Sequence, residues 1–397
     1  DLYGHRKMLR IAVVCVGLGS LLLAIAPNFA VLLIGRVLMG PLAVWLPLEI
    51  AILASRLRED QTRPAIGKLA GVFTVGIAGG SFLSGFAMEY LGSLRLALGV
   101  MFLLTIVCAV IVFVMVPETT SHATGRVDVP GFIGLAIGVV LLQFSLSQVP
   151  HAEWTAPIVW MPIIAAAVVF AVWMRWERRA EDPAIDMRIF AHRGMLPVQI
   201  AGLLVGVSMF AFVGSTPFIG ADPAEVGYGL GQKALAIGMM LVPPTLASAV
   251  GAFLVGRFAN VIGLPRAIAL GAGIMAAGYG AIIVFHESIP QFLTGTIIVC
   301  FGLGFTLGGV PALITERAPR QFTGIATAGY QTLKPIGTSV AGGIAAAVIG
   351  HFVIAGTATP TMGAYQLVWA ISAVASLVII PLILVRTGQI TIEEIQQ

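Results

Sequence analysis

The sequence predicts an all-α polytopic bundle of membrane-spanning helices, and three observations carry that prediction. Apolar residues make up 58% of the 397 and charged residues only 10%, with a mean hydropathy of +1.00, against about 45–50% apolar and 25% charged in soluble domains. Apolar stretches of about 20 residues, each long enough to cross a hydrocarbon core of roughly 30 Å as a helix, recur along the whole length. The third observation is how Lys and Arg are distributed between the stretches.

Taken in order, a charged opening with Arg6, Lys7 and Arg10 leads into apolar spans at 9–25 and 30–54. A connector with Arg56, Arg58, Arg63 and Lys68 precedes spans at 66–90 and 95–116, and Arg126 precedes 130–149 and 156–174. The longest connector holds Arg175, Arg178, Arg179, Arg188 and Arg193 and leads to 195–217 and 233–256. Arg257 and Arg266 stand before 265–285 and 290–314, Arg317 and Arg320 before 322–349 and 364–386, and Arg386 follows the last span. The opposite connectors carry only Arg95 and Lys233, and Arg36 and Lys334 lie within spans, which leaves 18 of the 22 Lys and Arg on one side. Twelve spans with that side cytoplasmic, and the C-terminus with it, satisfy both the lengths and the charges. The expected location is the plasma or inner membrane.

Composition also excludes functions. The formal charge of +4 is dispersed through short connectors rather than gathered in a patch, which excludes a nucleic-acid partner. Cys15, Cys108 and Cys300 sit in apolar spans without CxxC or Cys/His spacing and read as small buried hydrophobes, implying neither metal nor disulfide. His5, His122, His151, His192, His286 and His351 are scattered at span edges and connectors. With no nucleophile elbow, Walker loop or metal-spaced cluster, no catalytic residue, metal or cofactor is expected, and the chain does not read as an enzyme.

The connector from Arg175 to Gly194 mixes both charge signs around Pro183 and reads as a linker between two bundles. A repeat supports the division. Asp1, Gly4 and Lys7 share the spacing D/N-x-x-G-x-x-K/R with Asn260, Gly263 and Arg266, on the same expected side. A Gly turn with a carboxylate or amide able to cap a helix start fits an inner hinge in each half of a duplicated bundle.

These residues resemble a known family. Asp1, Gly4, Arg6 and Lys7 look like the tail of the signature loop between the second and third helices of the major facilitator superfamily, and Gly256 stands at the signature's first Gly in the second copy. Arg36 and Gly40 resemble the Arg-x-x-x-Gly of that family's fourth helix. Eight spans between the two signature loops, PAIDMRIF after a basic run, and QTLKPIG in the eleventh span resemble the fourteen-helix drug:proton antiporter branch. The resemblance implies two helices upstream of a chain that opens on Asp1. It also implies an incomplete N-terminal bundle (1–116), two extra helices and a cytoplasmic loop (117–194), and a C-terminal bundle (195–397). Departures occur at Leu2, His5 and Met39, and in GVFTVGIAGG, where Val75 and Gly76 replace the Gly-Pro of the antiporter motif while Gly71, Gly79 and Gly80 match.

Ionisable groups inside spans are the candidate site residues, because each costs roughly 2.5–3.5 kcal/mol at mid-membrane even on the mildest scale. Arg36 either modulates a proton site or ties helices together. Glu49, on the same span, either titrates in a low-dielectric cavity or pairs with a basic residue near the surface. In one continuous helix the two point to nearly opposite sides. Lys334, with Gln331 one turn before it and Pro335 after it, reads as part of a substrate path around a bent helix. Gln143 and Gln199 are further cavity candidates or interhelical hydrogen-bond donors, as is Gln148. Asp222 and Glu225 belong to a solvated outer loop. Gly67, Gly71, Gly76, Gly80 and Ser84, with Gly79, form a small-residue surface for close helix packing.

The function expected is secondary transport by alternating access, with protons driving export of drug-like or amphiphilic small molecules. Export of a specific metabolite or anionic solute, neutralised by Arg36 and Lys334, and a non-transporting membrane sensor remain open alternatives. Expected partners are a small-molecule substrate, protons and the lipid bilayer, acting on a monomer. In the family resembled, the first helix contributes acidic and polar residues that lie outside this sequence.

Overall fold

A computed structural model of the protein describes residues 4–56, 59–117, 128–148, 156–180, 192–318, 323–354 and 359–385. Its helices are α1 (His5–Ile25), α2 (Phe29–Leu38), α3 (Trp45–Arg56), α4 (Glu59–Leu91), α5 (Leu94–Met115), α6 (Val129–Gln148), α7 (Pro157–Glu177) and α8 (Leu196–Gly214). There follow α9 (Thr216–Gly220), α10 (Pro223–Val226), α11 (Ala234–Met240), α12 (Val242–Ile262), α13 (Leu264–Val284), α14 (Ile289–Arg317), α15 (Thr323–His351) and α16 (Met362–Leu384). Among the described residues ten helical segments are long and apolar enough to cross a membrane, and Phe29–Ala43 and Val129–Ser145 are shorter apolar helices.

Large apolar side chains cover the outside: Val261 is 83% exposed, Val114 76% and Phe29 75%. A surface of that kind is soluble only in lipid, where the backbone polar groups must be paired within helices. That requirement explains why the long apolar stretches are helical although several contain prolines.

The chain forms two compact units. One contains Asp1–Arg126 and Lys233–Val242; the other contains Val127–Gln232 and Pro243–Gln397. In the first, α1 packs on α5 and α2, and α4 on α11. The α1–α2 hairpin closes on Gly19 and Gly35, where a Cβ on Gly19 would come within 2.6 Å of the Gly35 carbonyl. Arg10 Nη2 donates to the Phe113 carbonyl at 2.9 Å with its guanidinium 5.0 Å from that ring, so the start of α1 and the end of α5 share one face.

In the second unit the pair α6 and α7 pack on each other, α8 packs on α15 and α16, and α13 on α14 and α16. Buried Arg317, at the end of α14, donates to the carbonyls of Gly194 (3.3 Å), Ile383 (3.4 Å) and Val385 (3.3 Å). It ties the start of α8 and the ends of α14 and α16 into one face, and satisfies carbonyls that helix ends leave open. At the opposite ends, buried Phe218 stands among Tyr228, Phe292, Tyr365 and Trp369, while Tyr228 Oη donates to the Pro360 carbonyl at 2.7 Å.

Three expectations need correction. The span at 30–54 is not one helix: a 3-10 turn, Gly40–Val44, separates α2 from α3. Pro41 has no N–H to continue the α ladder, and the Met39 N–H is shared between the Gly35 and Arg36 carbonyls, both at 3.2 Å, as the chain tightens. The angular relation between Arg36 and Glu49 on one continuous helix therefore does not apply. Pro335 lies inside α15, which is helical on both sides of it.

The third concerns the repeated loops. Their caps are the glycines rather than Asn260, which lies in the last turn of α12, and no side chain caps α13. Gly4 precedes α1 with φ 83°, ψ 131°, and Gly263 precedes α13 with φ 87°, ψ 148°, a conformation that suits only glycine. Two loops that match in sequence thus turn with the same backbone geometry. Asp1 lies outside the described residues.

Candidate functional site

The second unit carries an open-sided cleft of about 720 Å³, within the roughly 300–1,000 Å³ of small-molecule sites. Gln143 of α6, Met209 and Phe210 of α8, and Lys334, Thr338 and Ser339 of α15 line it. Each wall is positioned by a separate packing device.

Between α8 and α15 the device is glycine. A Cβ on Gly206 would run into the Lys334 carbonyl and stand 2.9 Å from the Thr338 nitrogen, one on Gly337 would run into the Leu203 carbonyl, and one on Gly202 would meet the Tyr330 ring at 2.5 Å. The two backbones touch beside Lys334. Thr338 Oγ1 donates there to both the Gly206 carbonyl and the Lys334 carbonyl, each at 3.1 Å.

Behind the cleft, α8 is fastened to α13 and α16 by buried polar groups. Ser208 Oγ lies 3.0 Å from Ser376 Oγ and donates to the Ser372 carbonyl at 3.2 Å, Ser376 Oγ donates to that same carbonyl at 2.7 Å, and Tyr279 Oη donates to the Ser208 carbonyl. In hydrocarbon these groups find no water, so the network holds α8 while its neighbouring residues Met209 and Phe210 face the cleft. The third wall, α6, packs on α7 with Ser145 Oγ donating to the Val159 carbonyl at 2.5 Å, and packs on α15.

Lys334 is the charged residue of the lining among the described residues. Its Nζ lies 3.5 Å from Gln331 Oε1 and 5.5 Å from the centroid of the Tyr330 ring. Of the cavity candidates, Gln143 and Lys334 come together in the cleft, Gln331 sits exposed beside Lys334, and Gln199 is fully buried in the first turn of α8 away from the lining.

In the first unit Arg36 is exposed in the last turn of α2 and Glu49 half-buried in α3. No side-chain hydrogen bond or ion pair among the described residues joins them. Arg6 and Lys7 lie in the first turn of α1, and Asn260 and Arg266 are exposed. Gly71 lies within α4, and Cβ positions on Gly76, Gly79 and Gly80 meet nothing within 4 Å. Among the described residues a close approach on α4 occurs at Gly85: its Cβ would stand 3.1 Å from the Leu235 Cα of α11, and a Cβ on Gly238 would stand 2.5 Å from the Ser81 carbonyl.

Sequence reasoning passed over Met209, Phe210, Thr338 and Ser339, and the glycines at 202 and 206. The last two had a signal, since Gly202-x-x-x-Gly206 is the small-residue spacing that brings transmembrane helices together. The other four had none, because apolar and hydroxyl residues are ordinary on spans and only the helix neighbours single them out.

Among proteins of known family, the Major Facilitator Superfamily model matches this chain over residues 1–221 and 115–342. The chain belongs to the Major Facilitator Superfamily. Curated relatives of this member include the uncharacterized MFS-type transporter YfiU of Bacillus subtilis, 26% identical with 86% of this chain and 66% of the relative covered. Another is a multidrug resistance protein B homolog of Mycobacterium tuberculosis, 27% identical with 88% and 64% covered. This superfamily chain thus spans just under two thirds of the length of these relatives. Among solved structures, an auto-inhibited POT family peptide transporter superposes with a TM-score of 0.63 at 15% identity, covering 96% of this chain and 82% of that one. The shared feature is the helical-bundle fold.

Proposed function

We propose that the protein is a secondary active transporter that exports amphiphilic, drug-like small molecules by alternating access, with protons moving the opposite way. The observation that carries this reading is the cleft beside Lys334: a drug-sized, mostly apolar space with a cation at its wall, in a chain otherwise adapted to lipid. Relatives named as multidrug resistance proteins support the substrate class. Two helical bundles, 1–116 and 195–397, alternate between two states, with the pair α6 and α7 between them in the chain. Twelve spans in this chain are the proposed membrane plan. The faces tied by Arg10 and by Arg317 are cytoplasmic, the C-terminus is on that side, and the monomer is the working unit in the plasma or inner membrane.

Glu49 is the proton-carrying group of the first bundle and Arg36, on the preceding helix, a charge that modulates it. The signature loops with Gly4, Arg6 and Lys7, and with Asn260, Gly263 and Arg266, serve as inner hinges. The test is flux in proteoliposomes under an imposed proton gradient. Wild-type protein is expected to move an amphiphilic dye only while the gradient lasts, and Glu49→Gln to bind the dye yet lose gradient-driven flux. Gradient-independent flux in the wild type, or wild-type flux in Glu49→Gln, overturns the proton-coupling assignment.

A further inference from the structure

Resting on the transport reading above, we infer that the cleft between α6, α8 and α15 selects amphiphilic anions, holding a carboxylate or phosphate head at Lys334 and an apolar body against Met209 and Phe210. Among the described residues the lining contains one charged side chain, the Lys334 ammonium, and no carboxylate. An ammonium has three donors, and its contacts among the described residues are weak and neutral: Gln331 Oε1 at 3.5 Å, the limit of a hydrogen bond, and the Tyr330 ring face. A cation in an apolar setting with such partners is best satisfied by a ligand that brings the opposite charge.

The neighbouring polar groups point the same way. Among the described residues the Gln143 amide and the Ser339 hydroxyl, both in the cleft, make no side-chain hydrogen bond, so each has a donor to offer an anionic head. The Thr338 hydroxyl proton is already committed to the Gly206 and Lys334 carbonyls. Met209 and Phe210 supply an adaptable apolar surface for the tail. A lipophilic cation meets the same apolar surface but a repelling charge. Gln143 comes from α6, so the α6–α7 pair contributes to selectivity and is more than a connection between bundles.

The test uses the purified protein in nanodiscs of neutral lipid, with dodecanoate, dodecyl phosphate and dodecyltrimethylammonium competing for one bound fluorescent fatty-acid probe. Both anions are expected to compete at least tenfold better than the cation; which anion wins distinguishes a carboxylate source from a lipid-like phosphate source. Lys334→Gln is expected to weaken anion binding by about 10- to 100-fold and to erase the preference over the cation, while Lys334→Arg retains it. Gln143→Leu is expected to weaken the anions by a few-fold only. Equal competition by the cation in the wild type overturns the inference, even if Lys334→Gln fails to fold. So does unchanged anion affinity in a folded Lys334→Gln. Gradient-driven flux without anion preference would refute this selectivity and leave transport standing; anion-selective binding without any flux would do the reverse.

Discussion

Gly206→Ala adds one methyl group at the place where α8 and α15 touch. The new Cβ would run into the Lys334 carbonyl and lie 2.9 Å from the Thr338 nitrogen, both backbone atoms that cannot rotate aside. The helices must separate, which costs about 1–3 kcal/mol for overpacking. Separation also breaks the 3.1 Å hydrogen bond from Thr338 Oγ1 to the Gly206 carbonyl, worth roughly 0.6 kcal/mol between membrane helices. Together these predict a loss of about 2–4 kcal/mol, or a thermal midpoint lower by about 4–16 °C for a body of this size. The control is Gly280→Ala on α13, where a Cβ meets nothing within 4 Å and helix propensity favours Ala by up to about 1 kcal/mol. Differential scanning of both variants in one detergent reads the difference. Equal midpoints would refute the close crossing, and with it the wall that places Lys334 in the cleft.

Gly263→Ala should lower stability by about 1–3 kcal/mol through backbone strain alone, since φ is 87° and nothing lies within 4 Å of the new methyl; the same melting assay checks it, with Arg266→Gln expected to be near neutral. Arg317→Leu leaves the carbonyls of Gly194, Ile383 and Val385 without their buried donor and should cost about 2–4 kcal/mol, with Arg317→Lys recovering only part because Lys lacks the planar fork. Tyr228→Phe removes the hydrogen bond to the Pro360 carbonyl and should cost about 1 kcal/mol. Burial raises the Tyr228 pKa above its ordinary value, so its stabilisation is complete below about pH 10, the unfolded value. It is lost as pH rises through the higher folded value. The gap between wild type and Tyr228→Phe, measured by melting, should therefore stay constant through neutral pH and close in alkali.

The lipid-facing character of this protein was settled by sequence alone, because bilayer thickness and the absence of water impose the same requirement on every span: about twenty apolar residues in a helix. The glycine turns were legible for a similar reason. Gly4 and Gly263 need a backbone conformation forbidden to other residues, so the requirement is written into residue type and spacing. Breaks were harder to read, since Pro41 interrupts its span and Pro335 does not, and the outcome depends on which neighbours replace the lost hydrogen bond.

Close packing of α4 shows the limit plainly. Among the described residues Gly76, Gly79 and Gly80 carry the small-residue pattern, yet a close contact is made at Gly85, where α11 reaches the helix. The cleft is likewise a property of three helices at once: Gln143, Phe210 and Lys334 are far apart in the chain, and each has an ordinary local reason to be where it is. Residue type determines which faces avoid water and which turns need glycine, since those are local energies. Which faces meet is decided only when helix shapes from distant parts of the chain compete for the same contact.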